Sequence, residues 1–348
     1  MSSHHIRAST AEVKGTGHGM EDEEAFLDPA NLRRRIRNNL RSLEDRDLEH
    51  QGANGCRAIF DALHGRHMAV VVKEVLAGMD DAKPSARRQR YLLLAYLADS
   101  QGHRPLASVL PLLYNGAVAK RLAEADSSVT KEMVGLARAL AGALVADAAQ
   151  GVSPEGAPAA WISHQLIHPL AKAVGGAPDR ARLSLACRLM HAVLLECHGV
   201  LPACAAAAAD AVARVQRQVA HGAVAVAVRE VFLPLMRGVE ILNGEVPAAT
   251  ARQMLNNALV LMRASGAWST REQAVKMVAT LAAVLGDALS GVGTGGADAA
   301  EAMETLISMK PLLVPAIEDA RYDKIAHVRR IAVEALAELA CIPDPEPP

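Results

Sequence analysis

Two imidazoles four residues apart on a helix can hold one metal ion between them. His164 and His168 have that spacing inside an apolar pattern that predicts a helix over 159–174. No glutamate follows the first of them and no third ligand is recognisable nearby, so a core or surface role is expected instead. His64 and His67 flank a turn, and His4 and His5 lie in a polar N-terminal arm, which makes both pairs weaker still. The glycines of Gly291-x-Gly-x-Gly-Gly296 would cradle phosphate only between a strand and a helix. Helical patterns lie on both sides of them, so the stretch reads as a linker. No Gly-x-Ser-x-Gly is present, and Asp80–Asp81 read as ordinary loop carboxylates. The cysteines (Cys56, Cys187, Cys197, Cys204 and Cys341) form no Cys-x-x-Cys, and all but the last fall in helical patterns. They read as reduced core thiols of a cytosolic-type protein. The chain is therefore expected to be non-catalytic, with no metal, no cofactor and no small-molecule substrate.

The side chains that do recur in order are basic. Taken along the chain, the turns between paired helices offer Glu44–Asp47, then Lys83 with Arg87 and Arg88, then Lys131, then Arg180 and Arg182. Further on they offer Trp268 with Arg271, and finally Arg321, Lys324, Arg329 and Arg330. One cation per layer makes a ladder with rungs about 10 Å apart, the usual distance between packed helices. Such a ladder can steer and hold an acidic protein. The competing reading has Arg87, Arg182, Arg229, Arg271 and Arg329 each pairing with an aspartate of the preceding repeat. Trp268, in a turn beside a helix start, is a candidate contact residue for a partner; packing against the neighbouring repeat is its bland alternative.

What must position these residues is a series of helix pairs. Half of the 348 residues are hydrophobic but only 3% are aromatic, and no alternating β-branched run suggests sheet, so the class is all-α. In 323–336, Ile325, Val328, Ile331, Ala332, Ala335 and Leu336 share one helical face while Arg329 and Arg330 point away. That is the second-helix signature of a HEAT/armadillo repeat. It recurs at Arg87, Thr130, Arg182, Arg229, Arg271 and Arg329, with spacings of 43, 52, 47, 42 and 58 residues. The expected period is roughly 40–47, and loop compositions at 151–158 and 291–296 account for the two long intervals. First helices are expected at 67–78, 105–123, 159–174, 201–219, 247–265 and 297–320, after an opening helix from Asp28-Pro29 whose stripe is Leu32, Ile36, Leu40 and Leu43. Ser269-x-x-Glu272 reads as a capping box opening the helix after Trp268. Gly175–Gly176, Gly222 and Gly266 read as helix stops. The expected architecture is an α-solenoid of about seven pairs over 29–341, flanked by a disordered acidic arm (1–28) and a disordered tail (342–348). Each pair is amphipathic and must stack on its neighbours to be stable.

Charge is uneven along the chain. Arg7 and Lys14 face Glu12, Glu21, Asp22, Glu23, Glu24 and Asp28, so the arm carries −4. With Asp344 and Glu346 in the tail and an overall charge of −1, the helical body is about +5. That is far short of the basic stripe of a dedicated nucleic-acid binder, so nucleic acid is not the expected partner. No apolar stretch is long enough to span a membrane, and the start lacks the apolar core of a signal peptide.

Residues 32–63, with the turn Leu40-x-x-Leu43-Glu44-Asp45-Arg46-Asp47, resemble the opening repeat of the plant Tortifolia/Spiral family of microtubule-associated proteins. Residues 269–285 and 323–336 are similar to the last repeats of the same TOG-like N-terminal domain. They are also similar to related plant nuclear-envelope armadillo proteins that bind SUN-domain partners and actin. The resemblance implies a cytoplasmic, cytoskeleton-associated scaffold that binds tubulin or microtubules through the turns within its pairs. A general adaptor for actin-related, ciliary, nuclear-envelope or transport partners is the alternative. Residues 341–348 do not match the C-terminal membrane anchor of the nuclear-envelope proteins, and no basic linker of the microtubule proteins is visible.

Overall fold

The computed structural model describes residues 28–63, 67–101, 108–149, 163–175, 180–197, 209–213, 228–242, 245–264, 267–290 and 296–345. The first pair is α1 (Pro29–Ser42) and α2 (Glu49–Asp61). Asp28 caps α1, its Oδ2 accepting from the N–H groups of Ala30 and Asn31 at 3.1 and 3.0 Å. Pro29 occupies the first position, where a missing N–H costs nothing. Leu32, Ile36 and Leu40 form the buried stripe. Gly52 lets α2 come close, because a Cβ there would stand 2.5 Å from the Asn39 carbonyl oxygen.

The chain continues as α3 (Met68–Leu76) with α4 (Pro84–Gln101), and α5 (Leu110–Ala117) with α6 (Ser127–Ala149). A π-helical turn (Ser163–Ile167) runs into α7 (His168–Gly175), which pairs with α8 (Arg180–Glu196). A helical stretch at 209–213 precedes α9 (Val228–Leu242). Then come α10 (Ala248–Ala264) with α11 (Trp268–Leu289), and α12 (Ala297–Ala320) with α13 (Ala326–Ala340). No strand occurs among the described residues.

First helices pack on first helices and second on second. α2, α4, α6, α8, α9, α11 and α13 form one file, while α1, α3 and α5, and again α10 and α12, form the other. This single-file stacking defines a HEAT/armadillo-type α-solenoid. Its interior is one continuous apolar cluster running from Leu32 to Ile342. Two buried tyrosines tie successive layers together. Tyr91 of α4 donates to the Ala117 carbonyl at 2.6 Å, and Tyr114 of α5 to the Leu166 carbonyl at 2.9 Å. Burial raises both phenols above their ordinary range.

Several expectations need amendment. The helix expected over 105–123 is α5 followed by a 3-10 turn at Ala119–Arg121. The helix expected from 159 is described only from 163 and begins with the π turn. Most of 201–219, and the stops expected at Gly176, Gly222 and Gly266, lie outside the described residues. The left-handed helix stop among them is Gly78, at φ 67°. Packing also extends past 341: Ile342 is 3% exposed, and its carbonyl accepts from Lys310 Nζ at 2.6 Å. The capping box does not form, since α11 starts two residues earlier than a Ser269 cap would have it, at Trp268, and Ala267 precedes it without a side-chain cap. Glu272 turns elsewhere, accepting from Lys276 Nζ at 2.6 Å and contacting His327 Nε2 of α13 at 3.1 Å.

Candidate functional site

The turns within pairs lie along one edge of the stack because each second helix starts beside the second helix of its neighbours. Side chains from this edge fall into two groups. Lys83, Arg88, Lys131, Arg182, Lys324, Arg329 and Arg330 are exposed. Arg180 opens α8, but its side chain is outside the described residues.

Arg87 and Arg271 belong to the second group and are drawn inward, with side chains 17% and 22% exposed. Arg87 grips Glu124 with Nε at 2.9 Å and Nη2 at 3.0 Å, and donates Nη1 to the Ala82 carbonyl at 2.7 Å. Arg271 Nε donates to Asp323 Oδ2 at 2.6 Å. Glu124 and Asp323 occupy equivalent places, each six residues before the marker position of its own repeat (Thr130 and Arg329). These clasps therefore join each arginine to an acid of the following repeat, which corrects the expectation of a partner in the preceding one. Helix polarity explains the direction: an arginine in the first turn of a second helix faces the incoming turn of the next layer. Arg88 to Glu132 at 3.3 Å, Arg138 to Glu196 at 2.7 Å and Arg37 to Glu74 at 2.7 Å run the same way.

The turns themselves are built rigidly. Arg90, 5% exposed, donates to the carbonyls of Val75 and Ala77, while Arg121 reaches back to Asp80 at 2.8 Å. In the last pair, Arg329 Nη1 donates to the carbonyls of Asp323 and Lys324 at 2.7 and 3.1 Å. Asp323 Oδ1 accepts from the Ile325 N–H at 2.9 Å. The Arg271 hydrogen bond, joined by that backbone donor, holds the Asp323 carboxyl below the usual carboxylate range. Arg329 is thus part of the turn's frame as well as its surface.

Trp268 is 46% exposed, and a second exposed aromatic that the sequence reading did not single out is Tyr322, at 84%. Tyr322 gave no signal because it lies in a turn between two helical patterns, outside any periodic stripe. Arg90 and Arg121 were missed because buried and half-buried arginines are recognised only through the carbonyls they reach.

His164 and His168 are both exposed, with ring centroids 5.5 Å apart, and no group of three metal-ligating side chains occurs among the described residues. No described helix is long and apolar enough to cross a membrane. Burial pushes the Cys56 thiol up to about 12 against the pull of Arg90; Cys187 and Cys197 are also buried, and Cys341 is exposed.

The model of the TORTIFOLIA1 N-terminal family matches residues 30–339. The chain belongs to that family. No curated protein matches the sequence. Among solved structures, it is similar to an engineered protein at 16% identity and a TM-score of 0.42, covering 79% of this chain and 99% of that one. It is also similar to Kap121p (12% identity, TM-score 0.42, 92% of this chain and 35% of that one). Importin beta is another (11%, 0.38, 92% and 48%). The family and the repeat fold together define a helical-repeat scaffold of the protein-interaction type.

Proposed function

We propose that this scaffold binds microtubules or tubulin through the turn edge of its array, in the cytoplasm and in association with the cytoskeleton. The packed array over 29–341 is the binding unit. The observation that carries the reading is the division of labour among the basic residues. Arg87 and Arg271 are spent on joining repeats, whereas Lys83, Lys131, Arg182, Lys324 and Arg330 from several layers stay exposed along one edge, and Arg88 stays exposed while also reaching Glu132. Spaced cations on a stiff support suit a long acidic surface, by steering its approach and by fixing its register. The resemblance to microtubule-associated proteins supplies the partner.

Co-sedimentation with stabilised microtubules tests this. The chain is expected to pellet at low salt and to be released as ionic strength rises. Lys83→Glu/Lys131→Glu and Lys324→Glu/Arg330→Glu should each weaken pelleting about tenfold. Absence of pelleting at low salt would remove the microtubule reading. An adaptor for another protein, favoured by the exposed Trp268 and Tyr322, would then remain.

A further inference from the structure

We infer that the turns of the last two pairs form a binding site for an extended acidic peptide segment of a partner protein, one that carries a small apolar side chain among its carboxylates. The inference takes its place on the turn edge from the function proposed above, but its chemistry stands on separate observations.

The first observation is that two turns, each carrying an exposed aromatic residue, are clasped side by side. Trp268 lies one helical turn before Arg271 on α11, so both share a face. Arg271 holds Asp323 at 2.6 Å, and Asp323 is the neighbour of Tyr322. The clasp therefore sets the Trp268 turn beside the Tyr322 turn. Tyr322, at 84%, spends almost none of its ring on the core, although the turn beneath it is held by Arg329, Arg271 and the Ile325 N–H. A rigid base presenting a bare aromatic costs little ordering entropy when a partner covers it.

The second observation is charge. Arg321, Lys324, Arg329 and Arg330 are exposed on this turn and the start of α13, while Asp323 is neutralised by Arg271. Other acids frame the patch: Glu318 and Asp319 end α12, Glu334 lies against Arg330 at 3.8 Å, and Glu272 is occupied by Lys276 and His327. His327 Nδ1 faces Arg330 Nη2 at 3.2 Å. The cationic strip is therefore short and bordered by carboxylates. A few spaced glutamates fit it, whereas a phosphodiester chain with a charge at every residue would run into the border.

The third observation is a cavity of about 350 Å³ beside the clasp. Met262, Ala316 and Ala320 line its apolar part, and Arg263 and Asp319 its polar part. It has room for one small apolar side chain between two charged groups.

The test uses the full chain and a fluorescein-labelled synthetic peptide of alternating glutamate and glycine with one central leucine, read by fluorescence anisotropy. The peptide is expected to bind at low salt and to weaken about tenfold when salt is raised several-fold. The same peptide with glutamine for glutamate is expected not to bind. Trp268→Ala and Tyr322→Ala should each weaken binding about tenfold, and Lys324→Glu/Arg330→Glu more than either. Lys83→Glu/Lys131→Glu, far along the edge, should leave it within about twofold. All these positions are exposed, and unchanged thermal melts would confirm that the variants fold. No binding at low salt, equal binding of the glutamine peptide, indifference to Lys324→Glu/Arg330→Glu, or tighter binding of a single-stranded oligonucleotide would each overturn the inference. Microtubule pelleting without peptide binding would sink only this proposal; peptide binding without pelleting would sink only the function proposed above.

Discussion

Asp323 shows how one side chain serves two ends. Its carboxylate anchors α11 to the last turn and at the same time shapes the surface that turn presents. Because its folded value lies below the unfolded value of about 3.9, its contribution to stability is complete above that pH. The contribution is lost as pH falls from there through the lower folded value. Asp323→Asn should therefore cost about 1–3 kcal/mol at neutral pH and flatten the acid limb of a stability-versus-pH curve measured by urea unfolding. An unchanged acid limb would show that the pair is not made in solution. The basic residues at this scale were only half legible. Their types and repeat positions stand in the sequence, but which are exposed depends on acids such as Glu124 and Asp323, thirty-seven and fifty-two residues away.

Elements were read more reliably than contacts. The stretch 297–320 is α12 to the residue, although Pro311 and Pro315 lie inside it. Both prolines are exposed, so the apolar stripe of Leu306, Leu313 and Ile317 carries the helix past them. Ser269-x-x-Glu272 misled because a local motif competes with tertiary partners, and Lys276 and His327 took the glutamate. The closeness of α1 and α2 was equally invisible, since Gly52 resembles any helix-weakening glycine until Asn39 is seen against it. In an ordinary helix Gly→Ala gains about 1 kcal/mol. Here the methyl meets a carbonyl oxygen of the neighbouring helix. Gly52→Ala should accordingly destabilise by about 1–3 kcal/mol, detectable as a lower Tm. A rise in Tm would mean that the helices separate without cost.

At the scale of the molecule, the repeat spacing revealed the stacking because each pair repeats one arrangement. It could not reveal the surface, because the exposed set is what remains after neighbouring layers have taken their partners. The forward clasps of Arg37, Arg87, Arg88, Arg138 and Arg271 give the stack a front and a back, and the two ends fail differently when shortened. Deleting α12 and α13 strips Asp323 from Arg271 and leaves a stranded guanidinium. Deleting α1 and α2 strips Arg33 and Arg37 from Glu74, whose side chain is only 9% exposed, and leaves a stranded carboxylate. Arg271→Met should recover part of the lost stability in the first truncation and Glu74→Gln in the second, with neither exchange helping the other protein. Thermal melts of the six proteins (each truncation alone and with either exchange) would decide it, and a rescue that works at both ends would mean the file of helices has no direction at all.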